Sequence, residues 1–213
     1  MLIIGLTGSF GTGKSTVAAM FKQSGAAVIS ADEVTRDLIA PKGKCYKKVA
    51  KLFPYAILAN RSLDRAALAK IVFNNPRELK KLTDTLYPEA LKHVKEFIKQ
   101  HKHKKLIVLD VPLLFEAKWD RLTNINITVS TNQRLQKQRL QKKWGLSTAD
   151  IRARLKSQWP LTLKKQMADI VINNNGSLSQ TRACVKRVIK KLEKINKAAM
   201  TRPLISGTTV RRK

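Results

Sequence analysis

Five short apolar segments are spaced along the chain, and each has the length of a buried β-strand. The segments are LIIGLT (2–7), AVIS (27–30), LIVLD (106–110), INITV (125–129) and ADIVI (168–172). Uninterrupted apolar runs of this kind are typical of parallel strands that are covered on both faces. Because helical stretches alternate with them, the pattern predicts a parallel sheet with right-handed crossovers.

Helical periodicity fills most of the chain between these segments. A first helix begins at Lys14, and we expect it to end near Gly25. Residues 31–103 read as mostly helical and strongly amphipathic. The prolines expected to punctuate this region are Pro41, Pro54, Pro76 and Pro88. Further helices are predicted over 133–143, 148–158 and 178–196.

A glycine-rich turn joins the first strand to the first helix. Its sequence, GSFGTGKS (8–15), satisfies the pattern G-x-x-x-x-G-K-[ST]. The glycines let backbone N–H groups surround phosphates, Lys14 reaches the β- and γ-phosphates, and the Ser15 hydroxyl ligates Mg²⁺. The motif predicts nucleotide binding. It does not by itself establish kinase chemistry, because GTPases and motor ATPases share it.

The domain organisation follows from this loop and the strand order. We expect a P-loop NTPase fold: a three-layer α/β architecture whose five-stranded parallel sheet is flanked by helices. One domain is expected over 1–196, with its core at about 1–30, 104–132 and 167–196. The helical insertion at about 31–103 is interpreted as the acceptor-binding region, and about 133–166 as a mobile helical lid. Residues 197–213 are predicted to be a basic, disordered tail.

The charge of the chain is unusually positive. It contains 43 Lys and Arg residues against 14 Asp and Glu, a formal net charge of +29. This excess favours polyanions, which include nucleic acid, acidic membrane surfaces and phosphorylated small molecules. The cations are spread along the chain, and aromatic residues are not interleaved with them as base stacking would require. Most of the charge is therefore interpreted as solvated surface, with nucleic-acid binding as an alternative that the composition leaves open.

Other features predict a cytoplasmic protein. The start MLIIGLTG has no basic n-region or cleavage site of a signal peptide, and no apolar run is long enough to span a membrane. Cys45 and Cys184 are isolated and lack the spacing of a metal or redox pair. His101 and His103 lie in the hydrophilic segment KQHKHKK (99–105), so we do not interpret them as metal ligands or bases.

Several sequence blocks, which include the glycine-rich turn and continue beyond it, resemble dephospho-coenzyme A kinases. They occur along the chain in the same order as in that family. The resemblance covers roughly 1–195 and also includes Gln158 and Lys164. Its main blocks are GLTGSFGTGKSTV (5–17), VISADEVTR (28–36), LDRAAL (63–68), VLDVPLLFE (108–116) and ADIVINNNG (168–176). It implies transfer of the γ-phosphoryl group of ATP to the ribose 3′-hydroxyl of dephospho-coenzyme A. The products would be coenzyme A and ADP, and this is the last step of coenzyme A synthesis.

Three side chains carry the expected chemistry. Asp32 follows the second strand at the carboxyl edge, where α/β folds place their sites, and would orient or deprotonate the acceptor hydroxyl. It is equally suited to capping the next helix. Asp110 ends an apolar strand as a Walker-B-like carboxylate would, or it caps the turn before Pro112. Arg139 in the basic lid would close over ATP, although any basic lid residue could do this.

The complete set of candidate site residues is as follows. The catalytic candidates are Asp32, Lys14 and Arg139. The nucleotide-binding candidates are Gly8, Gly11, Thr12, Gly13, Lys14, Ser15, Thr16, Arg139 and Asn174. The acceptor-binding candidates are Asp32, Arg36, Arg65, Asp110 and Leu113, and the Mg²⁺ candidates are Ser15 and Asp32.

The chain departs from the family pattern at several positions. Ser30 stands where the second strand usually ends in Asp, and Tyr87 precedes Pro88 where His is usual. The other departures are Phe10, Lys143, Trp144 and Asn173. They bear on efficiency, acceptor identity and lid closure, but they leave Lys14, Ser15 and Asp32 in place.

Two alternative functions remain from the sequence. One is another nucleoside- or nucleotide-type small-molecule kinase. The other is a P-loop protein that has lost turnover and binds RNA or DNA. The favoured prediction is an enzyme whose partners are ATP, Mg²⁺ and dephospho-coenzyme A, without a membrane partner.

Overall fold

A computed structural model of the chain describes residues 1–145 and 147–201. Within them, five strands form one parallel sheet in the order β2-β3-β1-β4-β5. The strands are β1 (Leu2–Thr7), β2 (Ala27–Ser30), β3 (Leu106–Asp110), β4 (Ile125–Ser130) and β5 (Ile170–Asn173). All five predicted strands are therefore confirmed, and the α/β class with them.

Helices cover both faces of the sheet. Those before β3 are α1 (Lys14–Gln23), α2 (Ala31–Leu38), α3 (Tyr46–Leu52), α4 (Arg65–Asn74) and α5 (Pro76–Gln100). Those after β4 are α6 (Gln133–Trp144), α7 (Thr148–Lys156), α8 (Leu161–Met167) and α9 (Leu178–Thr201). Short 3-10 turns occupy Pro54–Ala56 and Trp119–Leu122. No helix in these two described ranges is both long and apolar enough to cross a membrane.

Two apolar clusters give the molecule its three layers. One lies between the sheet and the pair α1 and α9, and its members include Ile4, Phe21 and Leu192. The other lies between the sheet and the helices α2 to α5, with Phe53 and Leu109 fully buried. Every residue of β3 is buried because this strand lies inside the sheet and is covered on both faces.

Three predicted boundaries are wrong. Pro88 does not interrupt a helix but lies inside α5, where Leu86, Ala90 and Val94 on either side of it are buried. This continuous buried face outweighs the cost of about 3 kcal/mol that an internal proline carries. Strand β5 begins at Ile170 rather than at residue 168, and the side chain of Asp169 before it accepts a hydrogen bond from the backbone N–H of Asn126 at 2.7 Å.

The third wrong boundary is the end of the last helix. Helix α9 continues to Thr201, so residues 197–201 are helical and do not belong to a disordered tail. Val185, Leu192 and Asn196 are buried along one face of this helix as far as its predicted end. The rest of the predicted tail, 202–213, lies outside the described residues.

Candidate active site

The turn between β1 and α1 has the backbone geometry of a phosphate loop. Gly11 and Gly13 have φ values of 84° and 87°, in the left-handed region that favours glycine. Inside the turn, Thr12 is fully buried, and its hydroxyl donates to the carbonyl of Ser9 at 2.9 Å. Thr12, one of the predicted nucleotide-binding residues, therefore stabilises the loop from its buried side. It does not line the cavity next to the loop.

A cavity of 1170 Å³ opens in front of the loop. Single-ligand sites usually enclose about 300–1000 Å³, so this cavity has room for a nucleotide and a second molecule. It extends from the phosphate loop to the helices that precede β3. The predicted nucleotide-binding residues of the loop that line it are Gly8, Gly11, Gly13, Lys14, Ser15 and Thr16.

Lys14 and Asp110 form an ion pair on the floor of the cavity. Nζ of Lys14 donates to Oδ1 of Asp110 at 2.5 Å, and both side chains are largely buried. Burial raises the pKa of Asp110, while the charge and hydrogen bond of Lys14 act in the opposite direction. Asp110 thus contacts the phosphate-loop lysine, and it does not serve as a cap for the turn before Pro112.

Asp32 lies in the first turn of α2 and lines the cavity. The cap of this helix is Ser30, whose hydroxyl accepts a hydrogen bond from the backbone N–H of Glu33 at 3.3 Å. The alternative role of Asp32 as the helix cap is therefore wrong. Its carboxylate is exposed to the cavity and close enough to Asp110 and Tyr87 to raise the pKa of both.

Arg139 and Asn174 lie beside the phosphate loop. Nη1 of Arg139 is buried, and nothing in the described part of the chain accepts a hydrogen bond from it. The amide of Asn174 is engaged on both sides, since Nδ2 donates to the carbonyl of Thr12 at 2.8 Å and Oδ1 accepts from the hydroxyl of Thr181 at 2.7 Å. Arg139 therefore has a donor available for an anion, whereas the side chain of Asn174 holds the loop in shape.

The segment predicted to be the lid, at about 133–166, packs directly on the phosphate loop through Phe10. The backbone N–H of Phe10 donates to Oε1 of Gln158 at 3.1 Å, and its carbonyl accepts from Nε2 of Gln136 at 2.5 Å. The guanidinium of Arg154 lies 5.2 Å from the ring centroid of Phe10 and 5.4 Å from that of Phe73. Arg154 therefore joins the lid to both the phosphate loop and helix α4.

The end of the cavity away from the loop is apolar. Tyr87 and Trp119 meet there with their rings tilted and their centroids 6.1 Å apart. Burial, together with the charges of Glu116 and Asp32, raises the pKa of Tyr87 to about 12. The other apolar residues of this wall are Phe73, Leu79, Leu82, Leu86, Leu113 and Ala117. Leu113 was predicted to bind the acceptor, and it lies on this wall.

Two predicted acceptor ligands lie elsewhere. Arg36 is exposed on α2 and pairs with Asp37 at 3.5 Å, and Arg65 is exposed at the start of α4. Neither lines the cavity. The sequence places both on helices that precede β3, but it does not specify which way a surface side chain points.

The residues present fit a nucleotide and Mg²⁺. The buried Nη1 of Arg139 and the ammonium group of Lys14 supply cationic donors beside the glycine turn. The Ser15 hydroxyl and the Asp32 carboxylate both face the same cavity. One carboxylate and one hydroxyl are a donor set that Mg²⁺ accepts, since it retains water and phosphate ligands. Within 1–145 and 147–201, no cluster of three or more His, Cys, Asp or Glu side chains forms a separate metal site.

The departures from the family pattern have different structural consequences. Ser30 caps α2, Tyr87 lies on the apolar wall and Lys143 lines the cavity. Asn173 ends β5, and its Oδ1 accepts a hydrogen bond from the backbone N–H of Asn175 at 3.0 Å. The side chain of Trp144 lies outside the described part of the chain.

Comparison with known proteins shows the family. The family model for dephospho-CoA kinase matches residues 2–180. A dephospho-CoA kinase of Carboxydothermus hydrogenoformans is 40% identical over 192 residues, which is 89% of this chain and 93% of the relative. One from Geobacillus kaustophilus is 38% identical over 200 residues, covering 92% of this chain and 99% of the relative.

Solved structures agree with this assignment. A protein from Thermus thermophilus superimposes with a TM-score of 0.76 and 33% identity, covering 90% of this chain and 97% of that one. A dephospho-CoA kinase from Campylobacter jejuni gives 0.65 and 27%, with coverage of 91% and 98%. A shikimate kinase from Acinetobacter baumannii gives 0.53 at 16% identity, with coverage of 92% and 94%, and so shares the fold. The chain belongs to the dephospho-CoA kinase family.

Proposed function

We propose that this protein transfers the γ-phosphoryl group of ATP to the ribose 3′-hydroxyl of dephospho-CoA, with release of coenzyme A and ADP. The observation that carries the proposal is the two-ended cavity. One end of the cavity holds the phosphate loop with Lys14 and Arg139, and the other end is the apolar wall around Trp119. Asp32 also lines the cavity. A nucleotide fits the first end, and the uncharged pantetheine part of dephospho-CoA suits the second.

Each polar residue has a part in the transfer. Asp32 accepts the proton of the acceptor hydroxyl or orients it for in-line attack on the γ-phosphorus. Lys14 exchanges its contact with Asp110 for the transferring phosphoryl group and stabilises its charge. Arg139 contributes its unpaired Nη1 donor to the phosphates. Ser15 and Asp32 would hold Mg²⁺, which when bound neutralises the charge of the phosphates.

We expect the protein to act in the cytoplasm. Cys45 is a buried free thiol and Cys184 is a partly exposed one, and they form no disulfide with each other. Reduced thiols are typical of that compartment.

An acceptor comparison tests the function. Purified protein, ATP and Mg²⁺ are combined with dephospho-CoA, shikimate, adenosine or no acceptor, and ADP formation is followed. We expect only dephospho-CoA to stimulate ADP release, and Lys14→Ala to abolish the stimulation. Stimulation by adenosine or shikimate instead would indicate a different small-molecule kinase, and no stimulation by any acceptor would contradict the proposal.

A further inference from the structure

Lys164, on helix α8, is a fully buried cation. Its exposed fraction is 0%, whereas the adjacent Lys165 is exposed. Nζ of Lys164 donates to the carbonyl of Pro112 at 2.6 Å and to Oε1 of Glu116 at 2.8 Å. Burial lowers the pKa of Lys164, although the pairing with Glu116 opposes this shift. Apolar residues of similar volume often stabilise a fold as well as a buried ion pair does, so the pair is weak evidence for a stabilising role alone.

Glu116 also contacts a second residue near the end of the predicted lid segment. Its Oε1 also accepts a hydrogen bond from the backbone N–H of Trp159 at 2.9 Å. The preceding residue, Gln158, accepts from the backbone N–H of Phe10 in the phosphate loop at 3.1 Å. The end of the lid is therefore attached to the phosphate loop through Gln158, and to the loop after β3 through Trp159 and Lys164.

The loop after β3 contributes to the site on its other side. It begins after Asp110, the partner of Lys14, and its residues Leu113 and Ala117 line the apolar wall of the cavity. The carbonyl of Pro112 also accepts from the Thr7 hydroxyl at 2.9 Å, which anchors it to the end of β1. A displacement of Lys164 or Glu116 would thus reach both the phosphate end and the acceptor end of the cavity.

We propose that Lys164 and Glu116 are a positioning pair that keeps the end of the lid, the phosphate loop and the acceptor wall in register for phosphoryl transfer. The proposal rests on the proposed function. Neither residue lines the cavity, so the pair acts through Gln158 and through the loop that carries Leu113. Oε2 of Glu116 is buried and has no hydrogen-bond partner within the described ranges, so it has an acceptor position free for one further donor.

Adjacent lysines provide a matched test. Lys164→Met and Lys165→Met are compared by kcat, by the KM values for ATP and dephospho-CoA, and by melting temperature. We expect Lys164→Met to lower kcat at least tenfold and to change the KM for ATP less than threefold, with Lys165→Met close to wild type. Equal kcat values for the two variants would overturn the proposal.

A double variant separates positioning from stability. Lys164→Met combined with Glu116→Leu removes both buried charges, so we expect its melting temperature to recover towards that of the wild type. Its kcat should remain at least tenfold low, because the links to Pro112 and Trp159 are still missing. Recovery of kcat together with the melting temperature would show a merely structural pair and overturn the proposal.

Two further outcomes are distinguishable. If Lys164→Met does not fold, the double variant with Glu116→Leu, which leaves no buried charge unpaired, serves as the test with the same expected loss of kcat. A folded double variant with wild-type kcat would then contradict the proposal. If the folded wild-type protein makes no coenzyme A, the proposed function itself fails, and the pair has no transfer reaction to serve.

Discussion

Three charged side chains with different surroundings make up the reactive part of the cavity. Lys14 and Asp110 are buried against each other, and Asp32 is exposed to the cavity. The short ion pair with Asp110 is suited to holding Lys14 until phosphates compete for it. Asp32 is exposed to the cavity and does not cap its helix, so its carboxylate is available to bind the acceptor hydroxyl.

Asp32→Asn tests this division of roles. We expect kcat to fall by about 10²- to 10⁴-fold, the usual contribution of a positioned base. The melting temperature should stay within about 2 °C of the wild type, because Asp32 is exposed and Ser30 caps the helix. Asp37→Asn, on the same helix but outside the cavity, is the control and should retain activity. A similar loss of kcat in both variants would contradict the assignment.

Tyr87 gives a prediction for alkaline pH. Its pKa is raised to about 12, chiefly by burial, whereas a tyrosine in an unfolded chain ionises near pH 10. The folded state therefore holds this proton more tightly, and the associated stability is complete below about pH 10 and is lost as pH rises towards 12. We expect Tyr87→Phe to show a smaller fall in the free energy of unfolding between about pH 9 and about pH 11.

Urea unfolding at the two pH values measures this difference. Tyr55→Phe is the matched control, because Tyr55 is 63% exposed. It should lose stability with pH as the wild type does. If Tyr87→Phe behaved like Tyr55→Phe, the buried phenol would not be the source of the alkaline loss.

Among the elements, the phosphate loop depends most on its own sequence. A Cβ atom added to Gly13 would lie 2.1 Å from Nδ2 of Asn174, which is held by Thr12 and Thr181. Gly25 has a similar φ of 93°, but no described atom lies within 4 Å of the corresponding position. An alanine at either position would therefore strain the backbone, but only an alanine at position 13 would also clash with a neighbouring side chain.

Alanine substitutions at these two glycines separate strain from steric fit. We expect Gly25→Ala to cost about 1–2 kcal/mol of stability with unchanged ATP affinity. Gly13→Ala should lose at least as much stability, and ATP binding by calorimetry should weaken more than tenfold. Normal ATP affinity in Gly13→Ala would show that the contact between Gly13 and Asn174 does not shape the nucleotide site.

Strands and turns that are specified by a short stretch of sequence were predictable. Features that depend on contacts between distant parts of the chain were not. The five strands and the turn at 8–15 carry continuous apolar runs or glycines, and all are present. The helix through Pro88 depends on which face is buried, and a linear pattern does not specify this. The same reason explains why the sequence missed the contact of Arg154 with Phe10 and Phe73, and why it placed Arg36 and Arg65 in the site.

At the scale of the whole molecule, the positive charge matches the chemistry of the proposed substrates. ATP and dephospho-CoA are both anions, and a net charge of +29 produces a field that attracts them. The described structure places cations such as Arg139 and Lys142 at the cavity. Binding of nucleic acid to the remaining positive surface stays the less favoured alternative that the net charge leaves open.

Salt dependence measures this attraction. We expect kcat/KM for dephospho-CoA to fall about three- to tenfold as ionic strength rises from about 0.05 M to about 0.25 M. The value of kcat should change much less, because the buried pair of Lys14 and Asp110 is poorly screened. Salt-independent kcat/KM would contradict steering by the net charge.

The most direct test of the account is the position of the new phosphate on the product. Wild-type protein and Asp32→Asn are incubated with ATP, Mg²⁺ and dephospho-CoA, and the product is analysed by ¹H–³¹P correlation NMR. We predict one new phosphate coupled to the ribose 3′ proton, formed in equal amount to ADP and nearly absent with Asp32→Asn. Phosphate at another hydroxyl, or ADP formed without a phosphorylated acceptor, would contradict the central claim that this cavity carries out phosphoryl transfer to the 3′-hydroxyl.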